Sequence, residues 1–487
     1  MLKKTFITLL FLVFMLTGNV IAQSSQVLYF MNLPQRNSLN PALLPGGRSY
    51  VGFPVISDLS VRIDNNFLSF SDLFRNGVIS DSTFTFLQEG KELNSFLTGL
   101  QKRNYLQPQI GIQLFGLAFT IGKDLRITFD INERIEGNFV LPEDAIRLGI
   151  EGSQNYMGKD LDFSSLRADM LYYHEIGIGA SKNITDKLRV GGRLMILGGV
   201  AAGYLKTNNL SLKVNDDNTQ TVNADIALNV SAPVTFYKDE ADGLIHDAYF
   251  NDEVFADANS SFSYLGGMGN TGLGADLGAE YRFNDMLAVS AAITDLGFIK
   301  WKRDRSTINI KKQFVLNGLT MQDVYDESLS FGELMNWTID SLQNAMVLID
   351  PAGPFTTYLP TCLTTAFSFS PVKFFTAGVL SQTRFKDKQV HESLTLSGNI
   401  NFRNTFSTTL AYTIANHRYD NFGFGLAVRG GFAQFFAVVD NIPLKWTPVT
   451  SGENSFRIPE NWYTLHARIG LNFVFGNKER EEILPTM

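Results

Sequence analysis

The chain of 487 residues carries 41 Lys and Arg against 48 Asp and Glu, a net charge of −7, and charged residues make up only 18% of it. A polyanion partner needs clustered basic residues rather than this scattered minority, so nucleic acid is excluded as a partner, and the single cysteine, Cys362, excludes an intrachain disulfide. Gly (41) and Phe (40) are plentiful, yet beyond the first residues no apolar run is long enough for a spanning helix: the longest uncharged stretch, residues 351–372, is broken by Pro351, Pro354, Pro360 and Pro371.

In chain order, Lys3 and Lys4 precede an apolar run over residues 6–16, followed by Val20, Ile21 and Ala22. This pattern predicts a cleaved signal peptide over residues 1–22, because the run is too short for a membrane-spanning helix. Cleavage after Ala22 leaves Gln23 first rather than a lipidated cysteine. The exported chain then has 39 basic against 48 acidic residues, a net of −9. Residues 23–48, with Asn40, Pro41, Ala42 and then Pro45, Gly46, Gly47, are too proline-broken for a wall strand. They are expected in or under a lumen as a plug.

From there to residue 475 the dominant signal is alternation, the period of a strand with one apolar and one polar face. Leu273, Ala275, Leu277, Ala279, Tyr281 and Phe283 oppose Gly274, Asp276, Gly278, Glu280 and Arg282; after Asn284 and Asp285 the pattern repeats with Leu287, Val289, Ala291 and Ile293, which predicts a hairpin. The same alternation runs through Ile127, Phe129 and Ile131, through Leu394, Leu396, Ile400 and Phe402, and through Leu465, Ala467, Ile469, Leu471, Phe473 and Phe475. Between residues 110 and 121 the apolar phase shifts from Leu114 to Leu117, which predicts a bulge. Short polar turns are expected at residues 122–124, 183–187, 403–404 and 430–431.

Two stretches have helical spacing instead: Leu93, Phe96, Leu97 and Leu100, and Phe331, Leu334, Met335, Leu342 and Met346. They are assigned to long loops, because a membrane wall made of sheet must be closed. Residues 307–361 leave open an extra strand pair or none. Aromatic pairs near strand ends, namely Tyr172 with Tyr173, Phe298 with Trp301, Phe374 with Phe375, Phe435 with Phe436 and Trp462 with Tyr463, are expected to form interfacial girdles. Strands near ~9 to 11 residues suit a tilted membrane crossing better than a soluble sandwich. The fold class is therefore all-β, a transmembrane antiparallel β-barrel of about fourteen strands, within roughly 12 to 16, with an N-terminal plug and helix-containing loops. The barrel is assigned to residues 49–475 and a charged tail to residues 476–487.

The polar faces carry Arg126 and Asp130 on one strand, Arg189 and Arg193 on another, and Asp276, Glu280 and Arg282 on a third. A basic side chain at the lipid midplane costs ~2 to 4 kcal/mol, so these residues are expected to face the interior. There they either line a polar channel or pair with one another and with the plug. The glycines at 267, 269 and 272 match a dinucleotide fingerprint, but a strand rather than a helix is expected to follow them. His174, His246, His391, His417 and His466 lack metal-ligand spacing, and no nucleophile elbow occurs. The reading is a non-enzyme with no cofactor and no metal, a lipid-modifying barrel being the alternative that spacing rules do not reach.

The export signal, Asn40-Pro41-Ala42, the segment from Thr294 through Asp295, Leu296 and Gly297 to Trp301, and Val439-Asp440-Asn441 together resemble an uncharacterised family of outer-membrane barrels. That family is related to the FadL-like hydrophobic-compound transporters and to PorV-like type IX secretion components. The resemblance spans nearly the whole chain. It implies an outer-membrane location, an N-terminal hatch and passage of small hydrophobic solutes, sometimes through a gap in the wall. The PorV-like side implies instead a scaffold with secretion-system partners. Barrels of this kind commonly end on an aromatic, whereas Phe475 is followed by twelve further residues; either Phe475 still closes the last strand or insertion is signalled differently.

Overall fold

The computed structural model describes residues 26–43, 47–69, 91–122, 124–217, 219–238, 245–266, 269–316, 346–349, 351–386, 389–402, 405–415, 418–451, 454–459 and 463–476. The predicted signal segment, the predicted helix from 331 to 342, Trp462 and all but Gly476 of the tail lie outside them.

Among the described residues fourteen antiparallel strands close into a barrel. They are β1 (Ser49–Gly52 continued by Leu59–Asn65), β2 (Arg103–Ile121), β3 (Leu125–Pro142), β4 (Arg167–Asn183), β5 (Leu188–Val214), β6 (Asn270–Arg282) and β7 (Leu287–Trp301). The second seven are β8 (Phe355–Tyr358 continued by Thr361–Val372), β9 (Phe375–Lys386), β10 (Gln389–Phe402), β11 (Phe406–Ala415), β12 (Arg418–Gly430), β13 (Ala433–Val439) and β14 (Thr464–Phe475). Each pairs with its sequence neighbour, and β14 closes on β1 through Ser49 opposite Phe475 and Leu59 opposite Ile469. Closure leaves no strand edge unpaired. Phe475 thus ends the closing strand.

Alternation fixes which face is which. On β6, Leu273 and Leu277 are exposed outward while Asp276 and Gly274 point in; on β10, Leu396, Ile400 and Phe402 are outward and Thr395, Asn399 and Ser397 are buried. The same apolar belt continues around the wall with Ile178, Leu194, Ile196, Ile293, Leu410 and Phe424. An apolar exterior around a polar interior is the arrangement of a membrane-spanning barrel, and it reverses that of a soluble one. No described helix is long and apolar enough to cross a membrane, so the crossing belongs to the strands.

The bulge expected in β2 lies between Gln113 and Phe115. A second, in β7, has no sequence counterpart in the alternation reading: the ladder with β6 slips between Ala275 and Leu277 because Asp295 takes a positive φ of 57° and adds a residue opposite Asp276. The aromatic girdles need correction. Residues an odd number of positions apart in a strand face opposite sides, which splits three of the pairs: Tyr173, Trp301 and Phe436 are fully buried on the inner face, whereas Phe298 and Phe435 are exposed on the outer one and Tyr172 is half-buried; Phe374 and Phe375 sit at a turn, the first exposed and the second opposite the outward Ile400.

The connections at one end of the barrel are all short turns, and the long connections all lie at the other. At the long end helix α1 (Lys91–Gly99) takes the place predicted for it, and α2 (Glu143–Glu151) and α3 (Ala258–Gly266) join it. Helix α3 lies on the outside of the wall, where its Leu265 carbonyl meets His174, which in turn pairs with Glu133 at 2.7 Å. β5 runs on past the wall, so that its upper part pairs with Gln220–Ser231 and that strand with Arg305–Leu316. This crown has its own apolar core of Tyr156, Leu161, Leu212, Val214, Val222, Ala224 and Ile310. Residues 307–361 therefore do hold further strands, and those pair in the crown.

Candidate functional site: a plugged lumen with a charged wall

The N-terminal segment occupies the lumen. Two 3₁₀ turns, Val27–Phe30 and Pro34–Ser38, bury Val27, Leu28, Met31 and Leu33 against Ala411, Ala427, Phe436 and Val438 of β11 to β13. Polar atoms of this segment find wall partners at each level. Gln26 donates to Ser393 Oγ (2.8 Å) and accepts from Thr413 Oγ1 (2.7 Å), and the Val27 amide donates to Asp440 Oδ1 (2.8 Å). Gln35 and Asn472 exchange a reciprocal amide pair at 2.7 and 3.0 Å. Burial of these groups is tolerable because each is bonded.

Asn40, Pro41 and Ala42 turn the segment across the floor. Asn40 Oδ1 accepts from the Ala42 amide (2.9 Å), and its amide group donates to the Tyr29 hydroxyl (3.1 Å). Two wall glycines make room: a Cβ on Gly191 would sit 2.4 Å from the Pro41 carbonyl, and one on Gly278 only 2.0 Å from Asn40 Oδ1. Glycine at both positions is a packing requirement rather than a turn requirement.

Opposite this neutral packing stands a network of charges. Arg193 of β5 pairs with Asp130 of β3, Glu175 of β4 and Asp276 of β6 (3.1 Å), so one guanidinium holds three carboxylates from three strands. Arg134 meets the other Glu175 oxygen at 3.4 Å, and Asn132 donates to both Asp130 (2.8 Å) and Glu175 (3.0 Å). The bulge serves this network, since it turns the Asp295 amide onto Asp276 Oδ1 at 2.7 Å. Glu136 accepts from the Tyr173 hydroxyl (3.0 Å) and from Gln109 (3.1 Å). Above it lies an apolar layer of Leu171, Tyr173, Met195, Leu197, Ile299, Trp301 and Leu359.

Of the seven lumen residues singled out from the sequence, the structure brings Asp130, Arg193 and Asp276 into one network. Arg126 is buried nearer the turn end, where it donates to the Gly47 carbonyl of the N-terminal segment at 2.9 Å. Arg189 donates to Asn183 Oδ1 at 2.7 Å. Glu280 and Arg282 pair with each other at 3.1 Å beside the short turn, with Arg282 half exposed. Missed were Arg134, Glu136, Glu175 and Arg468, which the strand period places on the inner faces of β3, β4 and β14, Arg62 and Arg384, which sit on strands with weaker alternation, and Asp58, which lies just before the second part of β1. Asp58 accepts from Arg468 Nε at 2.6 Å, and Arg62 pairs with Asp64.

Between the N-terminal segment and this wall lies an open, solvent-connected space. Its floor is Pro34 to Leu39, and its sides are inner residues of β1 to β3, β8, β9 and β14. No group of three or more His, Cys, Asp or Glu suited to a metal occurs among the described residues.

Closed wall, apolar belt and polar, plugged interior define an integral barrel of the outer-membrane type. A family model described as a family of unknown function, DUF5723, matches residues 41–440, and the chain belongs to that family. No curated protein sequence matches it significantly. Among solved structures it is similar to the toluene transporter TbuX of Ralstonia pickettii at 10% identity over 94% of this chain and 96% of that one, with a TM-score of 0.39. It is also similar to a FadL homologue of Pseudomonas aeruginosa at 9% identity over 94% and 100%, with a TM-score of 0.40. The toluene transporter TodX of Pseudomonas putida gives 10% identity over 94% and 98%, with a TM-score of 0.38. Scores of this size carry no activity from those proteins to this chain.

Proposed function

We propose that this barrel carries small solutes across the outer membrane through its lumen, with the N-terminal segment as the gate. The supporting observation is that residues 26–43 fill one side of the lumen through hydrogen bonds and apolar contacts, while the space beside them stays open. An element held only by such contacts is released when they are lost, and that is the physical requirement of a gate. For the cargo, the lining favours a polar solute over the small hydrophobic compounds that the FadL-like resemblance implies. The apolar layer around Trp301 is fully packed, and the open space beneath it is walled by Arg, Asp, Gln and Thr; an apolar molecule there would displace water from charges without replacing their partners.

Solute flux into proteoliposomes tests both points. Flux should be low for the intact protein and rise for Gly191→Val, which crowds Pro41. A labelled fatty acid entering faster than a polar solute of similar size would restore the hydrophobic cargo, and no flux of either from either protein would sink the channel.

A second reading, a scaffold with secretion-system partners, is favoured by the crown, whose separate apolar core builds a platform beyond the wall. Normal secretion in a strain lacking the protein would remove it.

A further inference from the structure

We infer that the lumen cavity binds a compact oxyanion, phosphate or a short carboxylate, seated between Arg62 and Arg384 with Arg126 at the opposite end of the same space. This rests on the lumen being open to solutes and names the chemical class that it selects.

The cavity is lined by six arginines, Arg62, Arg126, Arg134, Arg193, Arg384 and Arg468, against four acids, Asp58, Asp130, Glu136 and Asp295. Most of the arginines are already engaged. Arg193 and Arg134 belong to the carboxylate network, Arg468 is held by Asp58, and Arg62 by Asp64. Arg384 and Arg126 remain, and among the described residues neither has a carboxylate within 4.0 Å. Arg126 is only 2% exposed, and its Nε has no hydrogen-bond partner; the Nε of Arg384 is likewise buried and unpartnered. A guanidinium whose Nε is buried and unpartnered, with no carboxylate in ion-pair contact, is a costly arrangement that a bound anion relieves.

Position narrows the seat. Arg62 and Arg384 line both this cavity and a small crevice next to it, close enough for their like charges to oppose each other. An oxyanion between them converts that repulsion into two charge-assisted contacts. Glu136 also borders the seat, but its Oε1 already accepts from Tyr173 and Gln109, so it is held as part of the wall. Neutral polar groups complete the seat: Gln109, Gln382 and Thr364. The ligand is compact because no apolar trough leads away from the arginines: the layer around Trp301 is packed. Rings of Arg and Lys are the usual device of anion-selective pores.

The test is equilibrium dialysis of radiolabelled phosphate, and separately of acetate, against the full-length barrel in detergent at fixed ionic strength. Saturable binding near one ion per barrel is expected, weakened at least about tenfold in Arg384→Gln and largely retained in Arg384→Lys. Heat-modifiable gel migration shows whether each variant is a folded barrel, and Arg126→Gln supplies a second removal of charge from the same cavity. Absence of saturable binding in the unaltered protein overturns the inference. So does binding that survives both Arg384→Gln and Arg126→Gln. Because dialysis needs no open pore, the two proposals fail separately: anion bound without flux removes the channel and keeps the site, whereas flux without a bound anion removes the site and keeps the channel.

Discussion

The two sides of the barrel solve the same problem, filling a polar interior, by different means. From β2 to β5 the strands run 17 to 27 residues, and their inner faces carry the Arg193 network. From β10 to β13 they run 7 to 14 residues, and their inner faces carry short neutral groups such as Ser393, Thr395, Asn399, Thr409 and Gln434. The N-terminal segment packs its apolar side on the second group, because small neutral side chains bonded to one another leave a surface that Val27, Leu28 and Met31 cover at little cost in desolvation. The charged side cannot be covered so cheaply and keeps the open space. Gate and path are thus separated by the chemistry of the strands they face.

The largest effect is expected where one residue holds the charged side together. Arg193→Leu leaves Asp130, Glu175 and Asp276 facing one another, and removing one partner of a buried network costs about 3 to 5 kcal/mol. With the guanidinium gone, the three carboxylates repel one another when ionised, and taking up protons relieves that repulsion. The loss is therefore full at neutral pH and shrinks as pH falls. Urea unfolding at pH 8 and at pH 5 should show a smaller deficit at pH 5. An equal deficit at both would mean that Arg193 acts by packing alone.

Gly191→Val attacks the contact between the segment and the charged side. Overpacking against the Pro41 backbone costs about 1 to 3 kcal/mol. Since the wall can shift less than the segment, the expected outcome is displacement of residues 40–42 rather than an unfolded barrel. Cys362, the single cysteine, lines the same cavity and is buried, so its rate of labelling by a small maleimide should rise in the variant. An unchanged rate would show that the segment yields without opening the cavity.

On the neutral side the corresponding anchor is Asp440, which accepts from the Val27 amide and pairs with His466 at 2.7 Å. Asp440→Asn removes the charge from both contacts at a cost of about 1 to 2 kcal/mol. Hydrogen exchange should quicken at residues 26–31 and remain unchanged at residues 40–42, where Tyr29, Gly191 and Gly278 hold the turn. Equal quickening over both would mean that the segment moves as one piece, and the division between the two sides would then be static only.

Much of this was legible in the sequence, for a reason that also marks where legibility stopped. Alternation is local, so β6, β7, β10 and β14, the bulge in β2, and the inward sense of Arg126 or Asp276 follow from residues two apart. Which residues meet is decided across strands. Nothing local tells that Arg193 serves three carboxylates, or that Asp440 and Asn40, both in segments resembling a known family, tie the N-terminal segment in place. Three of the aromatic pairs are split between the two faces, because a strand's own period separates residues that the sequence sets side by side. The crown escaped because nothing local marks where β5 changes its partner from β6 to the strand Gln220–Ser231.

The smallest effect concerns the hairpin that brings the Asp295 amide to Asp276. Asn284 Oδ1 accepts from the amides of Met286 (2.9 Å) and Leu287 (2.8 Å), an Asx turn that sets where β7 begins relative to β6. Asn284→Ala removes both bonds at an exposed site, where water replaces them, so the cost is about 0.5 to 1 kcal/mol. The register should survive it, because the outward Leu277 and Ile293 and the inward Asp276 would all change faces on a slip of one residue. Thermal unfolding of the variant should therefore shift slightly while the Arg193 network, probed by the pH dependence described for Arg193→Leu, stays as in the unaltered protein. If the variant instead acquired that pH dependence, the turn would be holding the network in register, and the charged side would depend on its short connections as the neutral side depends on the N-terminal segment.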